Sequence, residues 1–323
     1  MGFIRRGLPV LPAIVALAGC NYNHDLTVDG DIADDAAERT IAVTVLDYSP
    51  MPGQFVNIAP PYEEGADAVA MRYAAQSYID RGYVVSLGSW GGSITLRLSE
   101  PVRHRPSGRD FRVTGNAFYN AASLSYPHFG NSEPGIILVS RDDNANGIAD
   151  DRWYQIRGSR WDESVDRLTV RYYAPDENAS DEFYIRWEAS DGSEGYLTRN
   201  PYHTQPYFPQ WINGGILEAT GRRLPDNGRY DASLKQYVYD CFDYGYADAQ
   251  PNNVEASVID LSWAVDDNGD PADLTEIDFI RIYTGVLQSN GVLGETSTEV
   301  GGIQLPADEP NSRIAPVTGS SSR

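Results

Sequence analysis

Ile136-Ile137-Leu138-Val139-Ser140 and Trp153-Tyr154-Gln155-Ile156-Arg157 flank the acidic run Asp142-Asp143-Asn144-Ala145-Asn146-Gly147-Ile148-Ala149-Asp150-Asp151. These flanks decide the fold class. Both are short, rich in β-branched or aromatic residues, and bounded by Asp, Asn and Gly, which marks strands and not helices. Between them, side-chain oxygens fall at every second residue (Asp142, Asn144, Asn146), a glycine follows at Gly147, and carboxylates arrive at Asp150 and Asp151. Calcium takes about six to eight oxygen ligands, and alternating Asp and Asn on a tight turn supplies them. The expected metal ligands are Asp142, Asn144, Asn146, Asp150 and Asp151, with Ile148 contributing its carbonyl. An EF-hand would place a bidentate Glu where Trp153 stands, so the expectation is an EF-like ligand ladder strung between two strands. The alternative is an Asn-Gly-containing turn without metal.

Outward from this unit the same pattern recurs. Strands are expected at Thr40–Leu46, Tyr83–Leu87, Ser93–Leu98, Asp110–Thr114, Leu168–Tyr173, Phe183–Glu188, Val258–Val265 and Asp278–Thr284, separated by Gly, Pro, Asn and Asp. One helix stands out, Ala66 to Asp80, with Val69, Tyr73, Tyr78, Ala70 and Ala74 as an apolar stripe for the core and Gly82 as its stop. Residues 189–252 are less regular and read as long loops with a strand or two. Serial strands without intervening helices predict an all-β antiparallel jelly-roll or β-sandwich over residues 40–305. A disordered tail is expected from residue 306.

Of 323 residues, 41% are hydrophobic, enough for a large core, and the 21 tyrosines and 30 glycines favour strands and turns. The net charge of −21 argues against nucleic acid or an anionic lipid surface as partner, since both require a basic patch.

Arg5 and Arg6 precede an apolar run, Leu8 to Ala18, that ends in Leu17-Ala18-Gly19-Cys20. A basic start, a short apolar core and small residues before a cleavage point make a secretory signal. Its ending resembles a bacterial lipobox, which implies cleavage after residue 19 and lipidation of Cys20. Asn21, in place of an aspartate, leans the address towards the outer membrane and cell surface. Residues 20–39 are acidic and read as a flexible tether. With Cys20 lipidated, Cys241 has no disulfide partner, and a cysteine-ligated zinc site is not expected; a buried thiol is.

Catalytic constellations are not evident. His104, His128 and His203 lack metal-type spacing, and Ser89-Trp90-Gly91-Gly92-Ser93 leads into a strand where a nucleophile elbow would lead into a helix. Carboxylate pairs can run a glycosidase, and Glu133, Glu295 and Glu299 are the acids to inspect; otherwise they are solvated charges or acceptors for backbone amides. A second acidic turn, Asp266-Asp267-Asn268-Gly269-Asp270, reads as a hairpin turn before a metal site. Aromatic residues crowd two segments, including Tyr202, Tyr207, Trp211, Tyr239, Tyr244 and Tyr246. Rings with polar edges suit stacking on sugars or a flat cofactor; the alternative is that they cover an open face of the sandwich.

Several segments carry a resemblance: Val84 through Leu96, Asp110-Phe111-Arg112-Val113-Thr114-Gly115-Asn116-Ala117-Phe118, Glu133-Pro134-Gly135-Ile136-Ile137, the acidic loop with Trp153-Tyr154, Tyr244-Gly245-Tyr246-Ala247-Asp248, Trp263-Ala264-Val265-Asp266, and Leu293-Gly294-Glu295-Thr296-Ser297-Thr298-Glu299. In this order they resemble a family of Bacteroidetes-type cell-surface lipoproteins, often labelled only cell surface or PKD-domain proteins. Some members resemble neighbours of corrinoid-uptake systems and others glycan-associated lipoproteins. The resemblance implies a glycan or corrinoid ligand and an outer-membrane transporter as partner. The expected function is a non-catalytic, calcium-stabilised surface lipoprotein that binds an extracellular ligand. A carbohydrate-active hydrolase and a purely structural envelope protein are the alternatives.

Overall fold

The computed structural model describes residues 38–307 apart from 107, 124 and 125. The signal segment, Cys20, most of the tether and the tail from residue 308 lie outside the described residues. The fold is 38% strand and 9% helical, which makes it all-β with antiparallel pairing throughout. The largest sheet has six strands in the order Ala264–Val265, Trp153–Ile156, Gly135–Ser140, Glu276–Thr284, Ser93–Arg103 and Val43–Ser49. A four-stranded sheet, Arg39–Ile41, Gly302–Leu305, Phe111–Thr114 and Val258–Ile259, shares its core.

Alternation along the strands explains the central apolar runs. Ile137, Val139, Ile280 and Ile282 join the main core with Phe111, Val113, Ile259 and Ile303. Their neighbours Ile136 and Tyr283 belong to a separate cluster with Leu224, Phe242 and Tyr246. Successive side chains point to opposite faces, so a strand covered on both sides must be apolar without interruption. That is why Ile136-Ile137-Leu138-Val139 reads as one continuous run.

Residues 189–252 hold more strands than the one or two expected, set around two long connections, 198–215 and 241–254. Glu194–Leu197 and Ile216–Arg223 pair with Ile185–Ala189 and Val165–Tyr173 in one four-stranded sheet; Gly228–Asp231 and Gln236–Asp240 join Phe129–Asn131 and Phe118–Tyr119 in another. With Val85–Ser86 paired to Glu299–Val300, the strands spread over five sheets. The arrangement is propeller-like and departs from the expected jelly roll, which needs only two sheets. The physical reason is visible in the cores: the sheet built on Val165–Tyr173 closes over its own cluster, Trp90, Tyr172, Ile185, Tyr207 and Phe208.

The helix runs Ala68–Asp80, and its N-cap Asp67 accepts a hydrogen bond from the Ala70 amide at 2.9 Å. Its buried face is rotated from the expected one. Met71 and Ala75 are buried, and Ala74 and Tyr78 of the expected stripe pack half-buried on the main core, whereas Val69, Ala70 and Tyr73 are exposed. Gln76 and Arg72 set the rotation. Gln76 Oε1 accepts from Val45 N (2.7 Å), Gln76 Nε2 donates to Val43 O (2.9 Å), and Arg72 donates to Val45 O (2.8 Å). Val43–Ser49 is the edge of the six-stranded sheet, so these side chains take the place of a further strand and cover an edge that would otherwise template pairing.

Candidate functional site

In the loop Asp142–Asp151, the expected ligands turn inward because backbone amides draw them. Asp142 Oδ1 and Oδ2 accept from the amides of Asn146 (3.0 Å) and Gly147 (2.8 Å). Asn144 Oδ1 accepts from Asn146 N, and Asn146 Oδ1 accepts from Ile148 N. Asn146 Nδ2 donates to both oxygens of Asp150 at 3.2 Å, and Asp151 accepts from Asp143 N. Ala145 and Gly147 adopt left-handed φ values of 55° and 72°, which is the tight turn the ladder needs. The loop is anchored by Asp278, whose carboxylate accepts from Asp142 N at 2.8 Å. An all-oxygen, surface-exposed set fits a hard cation such as calcium. Those oxygens also have donors within the loop, backbone amides and the Asn146 side chain, so the loop closes on hydrogen bonds alone.

The turn at Asp266 is a hairpin connection. Asp266 Oδ1 accepts from Asn268 N and Asp270 N, Asp266 N donates to Asp270 O, and Val265 bridges to Pro271.

The aromatic residues expected to bind ligand are mostly interior. Tyr207, Trp211, Tyr239 and Tyr246 are buried, and Tyr207, Trp211 and Tyr246 fall in three different clusters. The Tyr207 hydroxyl accepts from the Asn200 amide at 2.8 Å. Of the six, only Tyr202 and Tyr244 reach the surface, and Tyr244 packs on Trp263 with centroids 4.7 Å apart. These rings close the fold and do not form a shared ligand face. The density of aromatics was a packing signal, because this part of the chain forms sheets that need cores.

An open depression does exist elsewhere, at the end of the sheet where Tyr173 pairs with Ile216 and Ile185 with Leu197. It has a volume of about 470 Å³ and is lined by Tyr173, Phe183, Tyr184, Arg186 and Tyr196, among others. Phe183 and Tyr196 are exposed and meet edge to face at 5.1 Å. Arg186 lies over the Tyr173 ring at 5.4 Å and pairs with Glu188 and Glu194. The combination is exposed ring faces beside fixed charged donors and acceptors. Reading from the sequence missed it because its residues come from three strands, the connection over residues 174–184, and Gly215.

The acids flagged for inspection do come together, in the interior. Carboxylate oxygens of Glu133, Asp248 and Glu299 lie within 4.8 Å of one another. Antiparallel bonds between residues 133–135 and 247–248 set the first two side by side: Glu133 N donates to Asp248 O and Gly135 N to Ala247 O, both at 2.9 Å. Thr298 Oγ1 donates to Glu133 O, and Glu299 N donates to Asp248 Oδ2 at 3.0 Å, which brings in the third. Asp248 Oδ1 accepts from Asn116 N and Ala117 N at 2.8 and 2.9 Å. Gly115 makes this approach possible, since a Cβ there would sit 2.2 Å from Asp248 Oδ1. Asp248 itself is held at a left-handed φ of 51°, a conformation costly for a non-glycine residue. Segments quoted above for the surface-lipoprotein resemblance thus converge on one interior point.

Glu295 is a buried neighbour whose Oε1 accepts from Gln54 N at 2.5 Å. Burial, then the charge of Glu133, pushes it up to about 8. Burial is also the leading cause that raises Glu133, Asp248 and Glu299, and mutual repulsion adds to it for the last two. Asp248 and Glu299 are 3% and 5% exposed, so they do not face a cleft that a sugar chain could enter. A second gathering, His104, Asp110 and Asp260, is already satisfied: Asp110 accepts from Arg105 N, Leu261 N and His104 Nδ1, and Asp260 caps a turn at Ser262 N. Cys241 is buried, and burial pushes its thiol up to about 11, the mark of an unreactive cysteine.

The chain matches no family model and none of the curated proteins with which it was compared. The likeness to surface lipoproteins therefore rests on the motifs themselves.

Proposed function

We propose that this chain is a non-catalytic, calcium-stabilised lipoprotein, held at the outer membrane or cell surface through lipidated Cys20, that binds an extracellular glycan. The observation that carries the ligand reading is the depression of Tyr173, Phe183, Arg186 and Tyr196. Sugar rings present apolar C–H faces and hydroxyl edges, so they suit exposed aromatic faces bordered by charged groups. The loop at Asp142–Asp151 serves as the calcium clamp on a strand connection. The hydrolase alternative has less support, since the acids that gather do so away from the surface. An outer-membrane transporter would be the natural recipient of a captured nutrient.

The test is binding of the purified protein to immobilised glycans and to a cobamide, with Tyr196→Ala and Phe183→Ala alongside. Each truncation is expected to weaken glycan binding about fivefold, since one ring contact contributes about 1 kcal/mol. Binding unchanged in both variants refutes the assignment. Cobamide binding lost in the same variants would make the ligand a corrinoid.

A further inference from the structure

We propose that Glu133, Asp248 and Glu299 form an interior site for a divalent hard cation, calcium, distinct from the surface loop at Asp142–Asp151. Three carboxylates with oxygens within 4.8 Å of one another repel unless something positive lies between them. Among the described residues, no arginine, lysine or histidine pairs with any of the three. The local donors are backbone amides, Asn131 and the Ser297 hydroxyl, and Glu299 Oε2 is still left over.

A second observation points inward to a missing partner. Glu299 is 95% buried, as its 5% exposure implies, and its Oε2 has no hydrogen-bond donor. Glu295 Oε2 is buried and unpartnered as well. A buried carboxylate oxygen without a partner is costly, and a cation supplies what the protein does not.

The donor set chooses the ion class. Oxygen alone, without cysteine or histidine, favours a hard cation over zinc or copper. The oxygens are fixed by three amides from two separate segments, with Asp248 bonded to Asn116, Ala117 and Glu299. Such an irregular set suits calcium, which tolerates varied geometry, better than magnesium, which demands a near-ideal octahedron. Access exists on the Glu133 side: that residue is half-buried, and Asn131 Nδ2 reaches its Oε2 at 3.4 Å while also donating to exposed Asn116.

The experiment is equilibrium dialysis of the full-length chain in detergent against radiolabelled calcium, with Asp142→Ala, Glu299→Gln and Glu133→Gln compared with wild type. The loop variant is expected to retain at least one tightly bound calcium per chain. Glu299→Gln and Glu133→Gln should each bind one fewer than wild type while leaving the loop's ion in place. The ring depression is untouched by any of these changes, so glycan binding separates failure of this site from failure of the ligand reading. If Asp142→Ala binds no calcium, the proposal is overturned. It is equally overturned if Glu299→Gln binds as many ions as wild type, which would mean that the three carboxyls hold protons instead. Should a glutamine variant not fold, the count in Asp142→Ala alone decides, and its melting midpoint must fall on chelation.

Discussion

Glu295→Gln tests whether a buried acid in this fold is neutral at physiological pH. Glu295 is 1% exposed, has one amide donor on Oε1, and has none on Oε2. Burial carries it from 4.5 to about 8. A folded-state value above the unfolded one means that the native protein holds the extra proton between those two pH values. The group's stabilisation is therefore complete below about 4.5 and is lost as pH rises through about 8. At about 1.4 kcal/mol per unit the full span amounts to about 5 kcal/mol. That is comparable to the whole stability of an ordinary domain, about 5–15 kcal/mol. Glutamine preserves an acceptor for Gln54 N and cannot ionise, so the variant should lose this slope. Its new amide needs an acceptor, which costs about 1–3 kcal/mol at pH 5. The two stability curves should therefore cross, with wild type more stable at pH 5 and the variant more stable at pH 8.5. Urea unfolding in saturating calcium across that range measures both. The surface carboxyls Asp191, Asp231 and Asp266 are held below the usual carboxylate range by hydrogen bonds. Their stabilisation is lost only on acidification, so they leave this window clear. Parallel curves for wild type and variant, or wild-type stability that rises from pH 5 to 8, would refute the reasoning.

Asp142→Ala removes the acceptor of two backbone amides and one expected ligand. Measured in a Glu299→Gln background, the calcium-induced rise in stability should disappear; for wild-type affinity that rise is about 2.7 kcal/mol at calcium a hundredfold above Kd. Trp211→Ala should cost about 3–5 kcal/mol in urea unfolding because the ring sits in the main core, whereas exposed Tyr202→Ala should stay within about 0.5 kcal/mol. Gln76→Ala strips two hydrogen bonds from the edge strand; stability should fall by about 1–3 kcal/mol, and light scattering should show more self-association than in wild type. Gly115→Ala should lower stability and calcium binding together, because the new methyl displaces Asp248.

The strands around the acidic loop were legible because short β-branched or aromatic runs bounded by Asp, Asn and Gly are a local property, and Gly135–Ser140 and Trp153–Ile156 lie within one residue of the expected bounds. The helix was legible in extent but not in rotation. Two stripes at helical spacing compete on it, and the choice is made by Gln76 and Arg72 bonding to a strand about 30 residues away, which no window of sequence contains. The strands of residues 194–240 were hidden because aromatic, Asn- and Gly-rich composition imitates loops. Their identity depends on partners such as Val165–Tyr173 and Phe129–Asn131. Glu133 and Glu299 could be singled out as acids worth inspecting, yet Asp248 could not. What distinguishes it is a left-handed backbone and three amides from segments far apart in sequence.

The interior acids bear on what the net charge of −21 means. On the surface, excess acid is solvated at little cost and keeps the chain away from anionic partners. Inside, each carboxylate must carry a proton or a counter-charge. The two solutions differ in sign. If Glu133, Asp248 and Glu299 hold protons, folding takes up protons and the protein weakens as pH rises. If they hold calcium, folding takes up the ion, and raising pH strengthens binding by removing competing protons. In chelator, stability should therefore fall with pH in wild type and less so in Glu299→Gln. In calcium, the wild-type dependence attributable to the three carboxylates should flatten or reverse, leaving the slope that belongs to Glu295. A trio that merely shares protons cannot produce that reversal, because nothing in a proton-only cluster gains affinity as protons leave.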